Sequence, residues 1–435
     1  MSDEPTHQSR VAPSSTRVEG ELPPLMRDRA FWGMNFTQFL GAFNDNLFKQ
    51  RLLLLATPGA AEAGEDKQWI ALAVMAAAFL LFSGFAGWLA DRTVKRKLII
   101  GSKVAEIAVM ALGLAGFFYY DTFGLTGLML ILFLMSVQSA FFGPPKYGIL
   151  PEMLHDHDLP KANGLFLMFT FLAIIFGTAL IALFGTDPAT AWRVGVLCIV
   201  VAVIGTLTST LVRPTGVANP GAPLKPSDLF VPPEMIRLVM RDKQLLLALI
   251  VTSSFWMLGG MVQSGVNSLG KTQLGLGSST SILTAMLGVG IPIGCVVGGK
   301  LSQDRINPRV VVTGAVGIVI TLVLLSLPGG PQNHLLGFWG SVPVLIILGF
   351  CTGMFVVPIQ VSLQVRPPAE DKGRMIALMN QVNWVGILLG ALLFGLVMGL
   401  LEDYDLPRNL VFLSTAAIML PIALFYRPEE LQLGE

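Results

Sequence analysis

The chain has 435 residues, 53% of them hydrophobic and only 13% charged, where soluble domains carry about 25% charged residues. That balance excludes an ordinary soluble protein and points to an all-α membrane protein with many spans. The formal net charge of +1 excludes an overall basic nucleic-acid binder. The three cysteines, Cys198, Cys295 and Cys351, each sit inside an apolar run and read as small buried hydrophobes, not as a disulfide or metal set.

Residues 1–30 are rich in Ser, Pro and Thr and carry Arg10, Arg17, Arg27 and Arg29; they are expected to form a disordered cytoplasmic tail. They are not a signal peptide, because the apolar core that follows is too long and too polar and no small-residue cleavage site follows it. That core, residues 31–56, reads FWGMNFTQFLGAFNDNLFKQRLLLLA. At about 1.5 Å per residue it is long enough to cross a bilayer. Yet it holds Asn35, Gln38, Asn44, Asp45, Asn46, Lys49 and Arg51. Asn35, Gln38, Ala42, Asp45 and Lys49 recur at steps of three and four, so they share one face. A charge at the bilayer centre costs about 2.5–3.5 kcal/mol on insertion scales, so this face must meet protein or a watered cavity. Asp45 and Lys49, at i and i+4, can pair with each other; a structural pair holding the helix to a neighbour is the bland alternative to a substrate-path wall.

Eleven further spans follow, at 69–90, 98–120, 127–150, 164–184, 192–212, 244–267, 278–301, 310–327, 342–365, 375–401 and 410–426. With the first they make twelve transmembrane helices in two six-helix halves, 31–212 and 244–426, with 213–243 as a cytoplasmic linker and 427–435 as a tail. Lys and Arg concentrate in alternate loops: Arg92, Lys95, Arg96 and Lys97; Lys161; Arg213, Lys225, Arg237, Arg241 and Lys243; Arg305 and Arg309; Lys372 and Arg374. The other loops hold little beyond Lys67, Arg193, Lys271 and Arg408. The positive-inside rule therefore puts both termini in the cytoplasm. In the linker, Met235, Leu238 and Val239 can share a face with Arg237 and Arg241 on another, which suggests a short helix along the inner membrane surface, or else an unstructured tether.

The halves repeat. Asp91 and Asp304 are 213 apart (304 − 91), as are Arg92 and Arg305, Arg96 and Arg309, Gly101 and Gly314, Lys161 and Arg374, and Gly177 and Gly390; Pro144 and Pro358 are 214 apart. Parallel repeats of this kind place a substrate site at their interface near the midplane.

The loop GFAGWLADRTVKRK, with Gly87, Asp91 and Arg92 followed by Lys95, Arg96 and Lys97, resembles the cytoplasmic signature of the major facilitator superfamily. The resemblance implies the major facilitator fold and a latch in which the acid joins the cytoplasmic ends of two helices in one state of the cycle. Val94 stands where the family has its second glycine. The second copy, GGKLSQDRINPR, keeps Asp304 and Arg305. FTQFLGAFNDNLFKQ in the first span, AFFGPPKYGILPE closing the fourth, and the run from Gly349 through Val357, Pro358, Pro367, Glu370, Gly373 and Arg374 to Ala377 resemble the lysophospholipid transporter branch of that superfamily. The matching positions are Asp45, Asn46, Lys146, Tyr147, Pro151 and Glu152. The resemblance implies a carrier in the bacterial inner membrane that moves lysophospholipids from the outer to the inner leaflet, where a membrane-associated acyltransferase re-acylates them. No cofactor is expected, and the chain is expected to work as a monomer in the lipid bilayer, though the sequence does not fix the oligomeric state.

On that reading Lys49 meets the lipid phosphate, Asp45 its ammonium, and Asn46 and Gln38 serve as neutral partners. Lys146, after the helix-breaking pair Pro144-Pro145, is a second cation for the head group or a snorkelling terminal lysine. Asp91, Arg92, Asp304, Arg305 and Glu152 are the gating set. Lys103 and Glu106 read as a buried structural ion pair before a proton-carrying site. Gln263 with Asn267, Gln360 with Gln364, and Asn380 with Asn383 are same-face pairs that line the cavity or bond between helices.

A carrier for another amphiphile, drug or siderophore is the nearest rival. An acyltransferase is excluded by its own signature, His-x-x-x-x-Asp: the residues five after His7, His155, His157 and His334 are Ala12, Pro160, Ala162 and Trp339. The HDHD run at 155–158 reads as a solvated loop, not a metal site. A scaffold that only recruits an enzyme would show no flux by itself.

Overall fold

The computed structural model describes residues 22–59, 64–155, 158–185, 187–217, 233–302, 306–329, 334–366 and 372–430. Most of the expected tail, residues 218–232 of the linker, and Asp304, Arg305, Pro367 and Glu370 lie outside the described residues.

The long helices run in chain order as α1 Arg29–Ala56, α2 Gln68–Arg92, α3 Lys95–Phe118, α4 Tyr120–Gly148, α5 Leu159–Leu180, α6 Trp192–Ser209, α7 Lys243–Ser268, α8 Thr280–Leu301, α9 Pro308–Ser326, α10 Gly337–Val365, α11 Lys372–Asp403 and α12 Val411–Phe425. Among the described residues there is no β-strand. Among the described residues, eleven helical segments are long and apolar enough to cross a membrane. The twelfth is α1, 28 residues long but interrupted by the polar and charged side chains read from the sequence.

Where these helices begin and end follows from local chemistry. Asp28 caps α1, accepting from the backbone N–H of Ala30 at 2.8 Å, and Asp242 caps α7 in the same way through Gln244 at 2.9 Å. The two caps are 214 residues apart (242 − 28), so the repeat extends to a position not singled out above. The break expected at Pro144-Pro145 does not occur: α4 stays helical through both prolines to Gly148. Both fall in or next to the last turn, so only two backbone bonds are lost and no long segment beyond them is strained. The bend in α4 lies instead at Gly124, whose φ of 56° and ψ of −161° suit only a residue without a side chain.

Packing repeats as well. In the first half α2 packs on α4, α3 on α4 and α6, and α1 on α5. In the second half α8 packs on α10, α9 on α10 and α12, and α7 on α11, which are the same pairs six helices on. The halves meet along α2–α11 and α5–α8, again one pair and its repeat. Each half has its own apolar core: Leu47, Phe48, Met110, Phe117 and Leu132 in the first, Met261, Leu322, Phe355, Phe394 and Phe412 in the second. Leu130, Phe176, Leu207, Ile320 and Leu396 stay exposed on the outer surface, as lipid-facing side chains do. The linker helix Pro233–Arg241 packs Met235 and Val239 onto the second core and leaves Arg237 and Arg241 exposed.

The bundle has two unlike ends. At the basic end are the start of α1, the α2–α3 loop with Lys95 and Arg96, and the start of α7. At the opposite end are the α1–α2 and α7–α8 connections.

Candidate functional site

The polar face of α1 divides among several neighbours. Asn35 and Gln38, near the basic end, are buried. Gln38 donates to Asn35 Oδ1 and to the Phe166 carbonyl, both at 3.2 Å, and accepts from Thr170 at 2.9 Å. Its amide is thus engaged with α5 and does not join the head-group set expected for it. Asn44 points to α3 and donates to Glu106 Oε1 at 2.8 Å. Glu106 is also paired with Lys103, and both side chains are almost fully buried. The structural ion pair read from the sequence is therefore present.

Asp45, Asn46 and Lys49 differ in being partly exposed. Ser139 of α4 donates to Asp45 Oδ2 at 2.7 Å, while Asp45 Oδ1 has no hydrogen-bond partner. Asn46 donates to the Ala42 carbonyl one turn back at 2.8 Å. The Asp45–Lys49 pair is not formed, because the carboxylate turns to Ser139; the Lys49 ammonium has no hydrogen bond or ion pair with a described residue. Gln50, the next residue, reaches Asn267 of α7 in the other half at 2.9 Å. At about 100° per residue, Lys49, Ala42 and Asn46 fall on the arc between Asp45, which meets α4, and Gln50, which meets α7. That arc lies between the contact with α4 and the contact with the other half, and it carries a cation with no bond to a described residue beside a carboxylate whose second oxygen is buried and unpartnered.

Hydrogen bonds between the halves gather at the end opposite the basic loops. Gln50 and Gln68 bind Asn267, Gln68 donates to the Ser264 carbonyl at 3.2 Å, and Lys271 donates to the carbonyls of Leu54 and Thr57. Thr272 reaches the Pro58 carbonyl at 3.1 Å, and Ser278 reaches that of Ala182 at 3.2 Å. Toward mid-height Phe79 of α2 stacks on Trp384 of α11, with centroids 3.9 Å apart. Among the described residues, the ion pairs at the basic end do not join the halves: Lys95–Glu152 and Asp28–Arg213 belong to the first half and its flanks, Asp242–Arg366 and Arg366–Glu429 to the second and its flanks. Among the described residues, the halves are bonded to each other at one end (the tied end) and show no such bond at the other.

Of the gating set, Glu152 pairs with Lys95 at the start of α3. Asp91 is exposed and has no ion pair among the described residues, and the Arg92 guanidinium lies 5.3 Å from the Trp88 ring centroid. Lys146 sits seven residues past Ser139, so about 10 Å nearer the basic end, with its ammonium 4.7 Å from the Tyr147 ring centroid. Among the same-face pairs, Asn267 bonds between helices and Asn383 is buried with Oδ1 unpartnered, while Gln263 and Gln360 are partly exposed. Asp66 and Gln68, which help to close the far end, had no signal in the sequence: a neutral amide shows no periodicity, and its partner lies 199 residues away.

The family model of the Major Facilitator Superfamily matches residues 34–391. The chain is 30% identical over 370 residues to the lysophospholipid transporter LplT of Enterobacter sp. (strain 638), covering 81% of this chain and 84% of that one. It is 27% identical over 391 residues to LplT of Yersinia pestis (strain Pestoides F), covering 87% and 88%. Among solved structures it resembles a POT family transporter in complex with a thioalcohol-conjugated peptide, with a TM-score of 0.72 at 13% identity, covering 93% of this chain and 98% of that one. It also resembles a D-xylose–proton symporter, with a TM-score of 0.62 at 15% identity, covering 92% and 98%. At those identities the structural likeness speaks for the fold alone. A family match over most of the length, on a bundle of twelve helices that repeats six by six, leaves one conclusion: the chain belongs to the major facilitator superfamily.

Proposed function

We propose that this protein carries lysophospholipids across the bacterial inner membrane, from the outer to the inner leaflet, by alternating access. The names of its relatives give the substrate class, and one observation makes it chemically reasonable. Lys49, with no bond to a described residue, stands one turn from Asp45 on the arc of α1 that, on this reading, faces the gap between the halves. A lysophospholipid head offers a phosphate to the ammonium and, where it carries an amine, an ammonium to Asp45 Oδ1; Asn46 is a neutral partner. Lys146 meets the phosphate nearer the basic end. The single acyl chain needs an apolar flank, which the Leu- and Phe-rich helices supply.

The excess of Lys and Arg at one end supports a cytoplasmic position for that end and for both termini. The untied end is then the cytoplasmic one, and the conformation is inward-open. Asp91, Arg92 and the Lys95–Glu152 pair, with Asp304 and Arg305 in the second half, re-form contacts when that end closes. Delivery to the inner leaflet supplies a membrane-associated acyltransferase, and one chain suffices as the working unit.

The test is uptake of labelled lysophospholipid into proteoliposomes. Asp45→Ala loses uptake while remaining monodisperse and folded; uptake at the parental rate by that variant would refute the assignment. Counterflow with a panel of other amphiphiles tells this substrate from the rest.

A further inference from the structure

The tied end contains a connected set of buried amides rather than a hydrophobic plug. Asn267 on α7 is its centre. Gln50 of α1 and Thr284 of α8 both donate to Asn267 Oδ1, at 2.9 and 3.0 Å. Asn267 Nδ2 donates in turn to Gln68 Oε1 of α2 at 2.8 Å. One side chain thus joins four helices, two from each half. Gln50, Gln68 and Asn267 are fully buried, and Asp66 nearly so.

The direction of these bonds is not free. Asp66, when ionised, is an acceptor only, and both its oxygens take Gln68 Nε2 at 3.1 Å. That fixes which end of the Gln68 amide faces Asp66 and leaves Oε1 for Asn267. The Asn267 amide is then oriented with its oxygen toward Gln50 and Thr284. The Gln68 backbone N–H adds a bond to Asp66 at 3.2 Å. Around this chain the halves are stitched through carbonyls. Lys271, carried on the π-helical turn Leu269–Gln273, caps the C-terminal end of α1, where a cation is favoured. Arg408 reaches the Gly64 carbonyl at 3.1 Å, and the Asp66 N–H donates to Glu402 at 3.3 Å.

We propose that Asn267 is the keystone of the far-end gate, with Asp66 as a positioning residue that orients it through Gln68, and that this amide chain sets how often the carrier opens on that side. Amides suit the task, because each bond lost on opening is replaced by one to water, whereas an orphaned amide in the closed state is penalised. The proposal takes its meaning from alternating access but not from the identity of the substrate.

The test reads distances in the full chain in nanodiscs without substrate, so a failed lysophospholipid assignment leaves its outcome unaffected. Spin labels at Lys67→Cys and Leu335→Cys report the tied end; labels at Lys97→Cys and Arg309→Cys report the basic end. All four positions are exposed. Asn267→Leu is expected to raise the long-distance population at the tied end about tenfold and to shorten the distance at the basic end. Adding Gln50→Leu to it adds less than Gln50→Leu does alone, since both remove the 2.9 Å link and only the longer Gln50 bond to Ser281, at 3.4 Å, is lost in addition. Unchanged distributions at both ends overturn the proposal. So does widening at the tied end with no shortening at the other, which is what a merely structural role would give. Should Asn267→Leu fail to fold, Gln68→Met breaks the same chain at its next link and is read by the same two criteria.

Discussion

Lys49 and Lys103 are both lysines in the membrane-spanning part of the first half, but removing them leaves different things behind. Lys103→Met strips the partner from Glu106, which is buried and, among the described residues, held otherwise by Asn44 alone. An uncompensated buried charge costs roughly 3–5 kcal/mol, so this variant should melt far below the parent in detergent, and Lys103→Met with Glu106→Leu should recover most of the loss. Lys49→Met breaks no hydrogen bond or ion pair with a described residue, since Asp45 leans on Ser139 and not on Lys49; its melting should stay close to that of the parent while lysophospholipid uptake falls. Asp66 adds a pH dependence. Burial between the halves raises its carboxyl to about 6, against the pull of the Gln68 bonds and of Arg408. Glu402 faces it from the second half, and Glu65 and Lys67 are its exposed chain neighbours. With the tied end open and the group in water, its pKa returns to about 3.9. The closed state then holds a proton that the open state lacks between about pH 6 and pH 4, so acidification through that window favours closure, by up to roughly a hundredfold. Spin-label distances at the tied end between pH 7 and pH 4.5 measure this, and Asp66→Asn should abolish the dependence.

Helices were the most legible level. A bilayer-length apolar run bounded by charge, Gly or Pro carries its own signature, so α1, read as 31–56, is Arg29–Ala56, and α8, read as 278–301, is Thr280–Leu301. The Pro144-Pro145 reading failed because a proline pair ends a helix only if helix remains to be ended. The polar stripe of α1 was visible, but its division among α3, α4, α5 and α7 was not, since spacing along one helix says nothing of what stands opposite. Close approach between helices is a further property that the sequence leaves open. Gly177 of α5 is such a point: a Cβ there would meet the Phe43 carbonyl of α1 at 2.5 Å, whereas a Cβ on Gly87, in the last turns of α2, would meet nothing within 4 Å. Gly177→Val should therefore force α1 and α5 apart at a cost of about 1–3 kcal/mol and lower the folded yield on size exclusion. Gly87→Ala should be tolerated or gain up to about 1 kcal/mol from helix propensity.

At the scale of the molecule, the duplicated charged and Gly positions at one offset foreshadowed two halves, and the helix pairings repeat six on. Which end is tied could not be read, because it depends on contacts between residues about 200 apart, such as Gln50 with Asn267, that a carrier makes in one state and breaks in the other. The tied end and the proposed placement of the basic end in the cytoplasm together make a directional prediction. Ala42, on the arc of α1 between Asp45 and Gln50, is partly exposed. In a background where the partly exposed Cys295 is replaced by Ser, and with Cys198 and Cys351 buried, Ala42→Cys supplies a single reactive thiol facing the gap. A membrane-impermeant maleimide should label it at least roughly tenfold faster in inside-out than in right-side-out vesicles, because water reaches the gap only from the untied end. Adding Asn267→Leu should move the ratio toward right-side-out vesicles, as the far gate opens and the basic end closes. Equal labelling from both sides in the parent would mean that the amide chain does not seal the gap, and preferential labelling from outside would invert the assigned orientation.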